Sequence, residues 1–179
     1  MPVDFKKNIL FIHIPKTAGS SIKYFFGIKE PHNKHKTIEE IKAENFKAYN
    51  SYNKFAIVRN PYDRMISFYF WMINMAKDVY INASFIEFNE WIKDPFRFYN
   101  GDTINILNPQ YTWVDETVKI IKFENLNKEL NEFFGEKVNL PITNESNHKY
   151  YLEYYNTESL DIVYDRYKED FKKFNYKKI

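Results

Sequence analysis

The sequence predicts an α/β fold in which helices flank a central parallel sheet. Three short apolar runs, at residues 8–14, 54–58 and 118–123, have the length and composition of buried strands. Each run is followed by a segment whose apolar residues recur at helical spacing. Because strands that alternate with helices are typical of parallel sheets, this order predicts a layered α/β domain.

The helices after the first strand are predicted from their caps and their apolar spacing. Residues 20–26 follow a tight turn, and Thr37 with Glu40 three positions later has the pattern of a capping box. Ile38 and Ile41 supply the apolar face of this second helix. The polar segment between the two helices is predicted to be a loop.

A longer helix is predicted after the second strand. Asn60 can cap it, Pro61 suits its first position, and residues 62–75 are apolar nearly all round. Three further helices are marked by apolar residues at helical spacing, within residues 85–92, 126–133 and 160–174. The last of these is predicted to be one continuous helix that docks on the core.

Composition and charge exclude several classes of protein. The length of 179 residues suits a single domain over residues 1–179, and the formal net charge of +2 argues against nucleic acid as the main partner. Because the chain contains no cysteine, disulfides and thiolate metal sites are excluded. The sequence has no signal-peptide core and no apolar run of transmembrane length, so we expect a cytoplasmic protein without a membrane partner.

The turn between the first strand and its helix has the composition of an anion site. The first N–H groups of a helix lack partners and attract phosphate or sulfate. Lys16 adds a positive charge, Gly19 lets the backbone approach closely, and hydroxyl groups come from Thr17, Ser20 and Ser21. No glycine precedes Lys16 at the spacing of a Walker A motif, which counts against an ordinary ATPase or GTPase. A purely structural turn is the alternative.

A second anion site is predicted where the second strand ends. Arg59 stands at the edge of the sheet where α/β proteins usually bind ligands, and Ser67 lies about two turns into the next helix. An arginine and a serine from one element can clamp a phosphate group. The alternative for Arg59 is an ordinary salt bridge. Two anion sites at successive strand ends indicate a ligand with two separated anionic groups.

Both segments resemble those of a known family. Residues 11–21, FIHIPKTAGSS, resemble the 5′-phosphosulfate loop of the carbohydrate-type sulfotransferases, and residues 58–64 with Ser67 resemble their 3′-phosphate motif. Weaker matches occur at Phe123–Leu126, Pro109–Gln110 and Tyr167–Tyr176. The resemblance implies a P-loop NTPase-like three-layer fold and one sulfotransferase domain over the whole chain.

The resemblance also implies the donor and its ligands. The donor would be 3′-phosphoadenosine 5′-phosphosulfate (PAPS), and no metal ion would be needed. Its 5′-phosphosulfate would be held by the hydroxyl groups of the two serines and by the backbone N–H groups of Thr17, Ala18, Gly19, Ser20 and Ser21. Lys16 would neutralise the charge on the leaving phosphate oxygen. Arg59 and Ser67 would bind the 3′-phosphate.

An acceptor hydroxyl also needs a general base, and histidine is the natural choice near neutral pH. His35 precedes the Thr-capped helix, as a histidine does in related sequences, and is the predicted base; a solvated loop histidine without a catalytic role is the alternative. His32 lies in the same loop, His13 is predicted to pack or to make a hydrogen bond within the first strand, and His148 is predicted to contact the nucleotide or solvent. Glu124 at the end of the third strand is a reserve candidate, and a structural hydrogen-bond acceptor is its alternative role.

The expected acceptor is a saccharide hydroxyl, because of the family that the chain resembles. Lipid or small-metabolite hydroxyls would fit the same donor site. Aromatic residues around the irregular segment 93–113 could stack on sugar rings, although most are expected to pack the core: Trp91, Phe96, Phe98, Tyr99, Tyr111 and Trp113. The alternative functions are a small-molecule kinase that uses ATP and magnesium, and a non-catalytic module that binds nucleotides or glycans.

Overall fold

A computed structural model describes residues 3–4, 8–27, 35–79, 86–95, 104–141 and 148–179. Contacts within the chain define two compact units. The first unit comprises Met1–Arg59 and Gln110–Asn144, and the second comprises Asn60–Pro109 and Glu145–Ile179. A single domain over residues 1–179 stays a prediction.

Among the described residues, the first unit contains a four-stranded sheet in the order β1-β2-β3-β4. Its strands are β1 (Val3–Asp4), β2 (Ile9–Ile12), β3 (Asn53–Val58) and β4 (Lys119–Lys122). β2 pairs in parallel with β3, and β3 pairs in parallel with β4. This confirms the three predicted strands and their parallel arrangement. The antiparallel edge strand β1 is not predicted from the sequence, because two residues carry no periodic signal.

Apart from the last one, the predicted helices begin and end close to the expected positions. They are α1 (Gly19–Phe25), α2 (Ile38–Glu44), α3 (Phe46–Ser51), α4 (Pro61–Val79), α5 (Phe88–Trp91), α6 (Leu126–Phe134), α7 (Thr157–Arg166) and α8 (Lys168–Lys173). The capping box of α2 is confirmed: Thr37 Oγ1 accepts from the N–H of Glu40, and the Glu40 carboxylate accepts from the N–H of Thr37. The short helix α3 is not predicted.

The core of the first unit lies on both faces of the sheet. One face packs with α1 and α6 through the side chains of Ile9, Phe11, Ile22, Phe55, Ile57, Ile121, Leu130 and Val138. The alternate residues Leu10, Ile12, Ala56 and Val58 are fully buried as well. Burial of both faces explains why β2 and the end of β3 are continuous apolar runs.

The second unit is helical in its described residues and is built around α4. Asn60 Oδ1 accepts a hydrogen bond from the N–H of Tyr62, which confirms the predicted cap. Its core combines α4 with α5, α7, α8 and the 3-10 turn Ile104–Leu107. In the described segments of the chain, no helix is both long and apolar enough to cross a membrane.

The prediction of one continuous helix over residues 160–174 is wrong. α7 ends at Arg166 and α8 begins at Lys168, because Tyr167 between them leaves helical geometry with φ −115° and ψ 22°. The buried hydroxyl of Tyr167 donates to the carbonyl oxygen of Leu107 at 2.9 Å. Helical spacing of apolar residues continues across the break, so periodicity alone does not reveal it.

Candidate functional site

The turn after β2 is held in shape by its backbone and by one hydroxyl group. Lys16 and Ala18 adopt left-handed conformations, with φ of 69° and 66°. Thr17 is fully buried between them, and its Oγ1 donates to the carbonyl oxygen of Ile14 at 2.9 Å. Left-handed residues within a turn direct neighbouring N–H groups to one side, which forms a concave site for an anion. The turn therefore suits a phosphate or sulfate group.

The three hydroxyl groups predicted to serve this turn have different environments. The hydroxyl of Thr17 is engaged inside the turn, so it stabilises the turn itself. Ser20 is half-buried and Ser21 is buried, both in the first turn of α1. Contact of the two serines and of the turn's backbone N–H groups with a ligand stays a prediction.

His13, the residue that follows β2, packs against the start of α1. A Cβ atom added to Gly19 would lie 1.7 Å from His13 Nε2, so only glycine leaves room for this imidazole ring. His13 is buried, and its ring stacks on that of Phe11 with 5.6 Å between the ring centroids. The sequence predicts a close approach at Gly19, and the group that approaches is the His13 ring. The predicted packing role of His13 is confirmed.

The predicted base, His35, lies against the same strand end. Its Nδ1 is 3.0 Å from the carbonyl oxygen of His13, and the two imidazole centroids are 4.3 Å apart. Because a carbonyl oxygen can only accept, Nδ1 of His35 carries the proton in this hydrogen bond. The neutral ring then has its lone pair on Nε2, which is the form that a general base requires. The Trp113 ring is nearly perpendicular to the His35 ring, with 6.3 Å between the two ring centroids.

Arg59 follows β3 and is held at both ends. Its N–H donates to Gln110 Oε1 at 2.9 Å, and Gln110 Nε2 donates to its carbonyl oxygen at 2.8 Å. The guanidinium carbon lies 4.2 Å from the centroid of the Phe123 ring. One guanidinium nitrogen, Nη1, donates to the carbonyl oxygen of Lys16 at 3.4 Å. The basic side chain after β3 and the turn after β2 are thus brought together within the first unit.

In the second unit, Ser67 and Arg64 of α4 are buried polar residues. Ser67 has 5% of its surface exposed, and its binding to a 3′-phosphate stays a prediction. Arg64 donates to the carbonyl oxygens of Ile106 at 2.7 Å and Asn108 at 3.0 Å. Burial lowers the pKa of Arg64 from its usual value, and the nearby Tyr167 and Asp170 act in the opposite direction. Arg64 therefore anchors the turn at residues 104–108 to α4.

The other predicted candidates have diverse positions. His148 Nδ1 lies 2.7 Å from the carbonyl oxygen of Lys149, and its ring stacks on that of Phe70. Glu124 is exposed on the 3-10 turn that follows β4. His32 lies outside the described residues. The catalytic role considered for Glu124, the nucleotide contact considered for His148 and the place of His32 near the acceptor stay predictions.

The aromatic residues around the irregular segment divide between core and surface. Trp91 and Trp113 are each 1% exposed, which confirms the packing interpretation for both, and Tyr111 is 36% exposed. Phe96, Phe98 and Tyr99 lie outside the described residues. In the part of the chain that the structure describes, no group of three or more His, Asp or Glu side chains could hold a metal ion.

The contacts that His13 and Gln110 make with the candidate site residues were not predicted from the sequence. His13 supports both Gly19 and His35, and the signal for this was its place next to the turn, directly after the strand. Gln110 holds Arg59 through two hydrogen bonds across 51 positions. In the sequence, Gln110 is marked only by a weak match to a motif, because no local pattern predicts so distant a partner.

Comparison with protein families gives one match. A model described as the sulfotransferase family matches residues 1–113, which is more than half of the chain. The matched residues include the turn after β2, His35, Arg59 and Gln110. Neither the comparison with curated proteins nor the comparison with solved structures finds a match.

Proposed function

The chain belongs to the sulfotransferase family, and we propose that it transfers the sulfuryl group of PAPS to a carbohydrate hydroxyl. The proposed fold is the P-loop NTPase-like arrangement, in which helices cover both faces of the parallel sheet. The α/β class and the parallel strands β2, β3 and β4 support this arrangement.

The observation that carries the proposal is the contact between Arg59 and the turn at Lys16. A donor with a 5′-phosphosulfate and a 3′-phosphate needs two groups of cationic or N–H donors near each other. The left-handed turn supplies N–H donors and Lys16, while Arg59 supplies a guanidinium group within reach of the same turn. ATP lacks the 3′-phosphate, so Arg59 would favour the bisphosphate nucleotide over it.

The donor's sulfuryl group would react between Lys16 and His35. As the acceptor oxygen forms its bond to sulfur, the bond between sulfur and the 5′-phosphate oxygen breaks, and Lys16 neutralises the charge on that oxygen. His35 Nε2 takes the proton of the acceptor hydroxyl. The products are the sulfate ester and adenosine 3′,5′-bisphosphate, and His35 returns its proton to solvent. Positioning and charge stabilisation by these residues supply the catalysis.

The carbohydrate acceptor is proposed from the type of sulfotransferase that the two motifs resemble. Of the described aromatic residues near the irregular segment, Tyr111 has an exposed ring, and it stands one residue after Gln110. Tyrosine combines a flat apolar ring with a polar hydroxyl, so it suits contact with a sugar. Trp91 and Trp113 are buried and do not serve this purpose.

The test measures release of adenosine 3′,5′-bisphosphate from PAPS, without magnesium, against a panel of saccharide, lipid and small-metabolite hydroxyls. We expect turnover with a saccharide acceptor, and a loss of about 100-fold or more in kcat for His35→Ala, because general base catalysis is worth that much. Lys16→Ala is expected to lower kcat as well. The rate should rise with pH where imidazole loses its proton, and this dependence should vanish in His35→Ala.

Several outcomes would contradict the proposal. Transfer from ATP with magnesium at a comparable rate would favour a kinase. Nucleotide binding without turnover on any acceptor would favour a binding module. A loss of activity in Glu124→Gln, with full activity in His35→Ala, would assign the role of base to Glu124.

A further inference from the structure

The side-chain amide of Gln110 pairs with the backbone of Arg59 as a neighbouring strand would. β3 makes its last ladder pair at Val58, opposite Lys122 in β4. At the next residue, Gln110 supplies both the acceptor for the N–H, at 2.9 Å, and the donor for the carbonyl group, at 2.8 Å. Gln110 is 0% exposed, so neither hydrogen bond competes with water.

The pairing needs the chemistry of an amide. Arg59 presents one donor and one acceptor, so its partner must accept at one atom and donate at the other. A glutamate of the same shape would place a carboxylate oxygen against the Arg59 carbonyl oxygen. A methionine of similar length would leave both backbone groups buried without partners.

The two hydrogen bonds fix the backbone of Arg59, and the far end of its side chain is held as well. The guanidinium group of Arg59 packs over Phe123 and reaches the carbonyl oxygen of Lys16. These two contacts are weaker restraints, since one is an aromatic face and the other is a hydrogen bond of 3.4 Å. The hydrogen bonds to Gln110 are shorter than that contact, so Gln110 fixes the backbone from which the Arg59 side chain leaves the sheet.

We infer that Gln110 is a positioning residue that sets donor affinity and selectivity by aiming Arg59 at the 3′-phosphate. The inference rests on the proposed function, since it requires a ligand with a phosphate at that position. A binding group held in place before the ligand arrives loses less entropy on binding. Loss of Gln110 should thus lower the affinity for ligands that carry a 3′-phosphate and leave the affinity for ligands that lack it nearly unchanged.

The experiment is a double-mutant cycle of Gln110→Met and Arg59→Ala. The affinities of adenosine 3′,5′-bisphosphate and AMP are measured by titration calorimetry on the full chain, and far-UV circular dichroism checks folding. We expect Gln110→Met to weaken the bisphosphate about 10-fold and AMP less than about 2-fold, which corresponds to the loss of one charge-assisted hydrogen bond. In the Arg59→Ala background, Gln110→Met should change neither affinity.

A second variant keeps the test decisive if Gln110→Met does not fold. Gln110→Glu retains the acceptor for the Arg59 N–H and loses the donor to the carbonyl oxygen. Its bisphosphate affinity relative to the wild type should fall at neutral pH and recover at acidic pH, where a protonated carboxyl group donates again. Affinity that stays reduced at acidic pH, relative to the wild type, would overturn the inference.

The outcomes separate this inference from the proposed function. If the wild type prefers the bisphosphate over AMP and Gln110→Met keeps that preference, the role of Gln110 is wrong while the function stands. Equal losses of affinity for both ligands would likewise overturn it. So would a loss caused by Gln110→Met that is as large in the Arg59→Ala background as in the wild type. If the wild type does not discriminate between the two nucleotides, the proposed donor is wrong and the role of Gln110 is wrong with it.

Discussion

The two strand ends of the first unit build their candidate binding groups in different ways. After β2, the backbone itself is shaped, with Lys16 and Ala18 in left-handed conformations and Gly19 packed against His13. After β3, an ordinary strand ends and a single side chain, Arg59, is held by Gln110 from a distant segment. The first device is local in sequence and the second is tertiary. Substitutions after β2 and substitutions after β3 should therefore have different effects.

The largest effect is expected from Gly19→Ala. Its Cβ would lie 1.7 Å from Nε2 of the buried His13, so the backbone or the imidazole ring must move. We expect the free energy of unfolding to fall by about 2–3 kcal/mol, as for other overpacked sites, measured by urea denaturation. Gly27→Ala is the control for an added Cβ without a clash: no atom lies within 4 Å of that Cβ, and the φ of +61° at Gly27, which Gly19 does not share, adds only backbone strain. That control should lose only about 1 kcal/mol.

The steric origin of this effect can be tested directly. In the double variant Gly19→Ala, His13→Ala, the added methyl group has space. The double variant should therefore lose less unfolding free energy than the sum of the losses of the two single variants. Simple additivity would contradict the account of the β2 end. It would mean that the loss in Gly19→Ala does not come from the approach of His13.

A smaller effect is expected at Asp115, which anchors the segment between Gln110 and β4. Its carboxylate accepts from Tyr49 Oη at 2.8 Å and from the N–H and hydroxyl of Thr117. Partial burial raises its pKa, but the hydrogen bonds from Thr117 and Tyr49 outweigh burial and leave the pKa below its usual value. We expect Asp115→Asn to lower the free energy of unfolding at neutral pH by about 0.5–1 kcal/mol.

The pH dependence of that loss has a definite sign. A carboxyl group with a lower pKa in the folded state stabilises the protein fully above its unfolded pKa, about 3.9. This contribution disappears as the pH falls through the folded value. The difference between wild type and Asp115→Asn should therefore shrink below about pH 4. A difference that grows on acidification would contradict the hydrogen-bonding account.

The smallest effect is expected from Ala18→Gly. Glycine relieves the left-handed strain of Ala18, worth about 1 kcal/mol, but it also gains a similar amount of backbone entropy in the unfolded chain. We expect a change in unfolding free energy of less than about 0.5 kcal/mol by thermal denaturation, because the two terms nearly cancel. Ala18→Val should lose at least about 1 kcal/mol, since β-branched residues tolerate this conformation poorly. Equal stability of the two variants would show that the turn relaxes freely.

The same contrast between local and tertiary contacts explains which features could be predicted from the sequence. The strands, the capping box of α2 and the turn after β2 were predictable because their causes lie within a few residues, as in the pair Thr37 and Glu40. The break at Tyr167 was not, because the buried hydrogen bond of that side chain to Leu107 spans 60 positions. The partner of Arg59 was missed for the same reason. Local chemistry could be inferred, while tertiary pairing could not.

The most direct test of the central claim is the nucleotide selectivity of Arg59. Calorimetric titrations without magnesium compare adenosine 3′,5′-bisphosphate, AMP and ATP on the wild type and on Arg59→Ala. We predict that the wild type binds the bisphosphate about 10- to 100-fold more tightly than AMP, as a charged hydrogen-bonded pair allows, and that Arg59→Ala removes this preference. Equal or tighter binding of ATP by the wild type, or an unchanged preference in Arg59→Ala, would contradict the account.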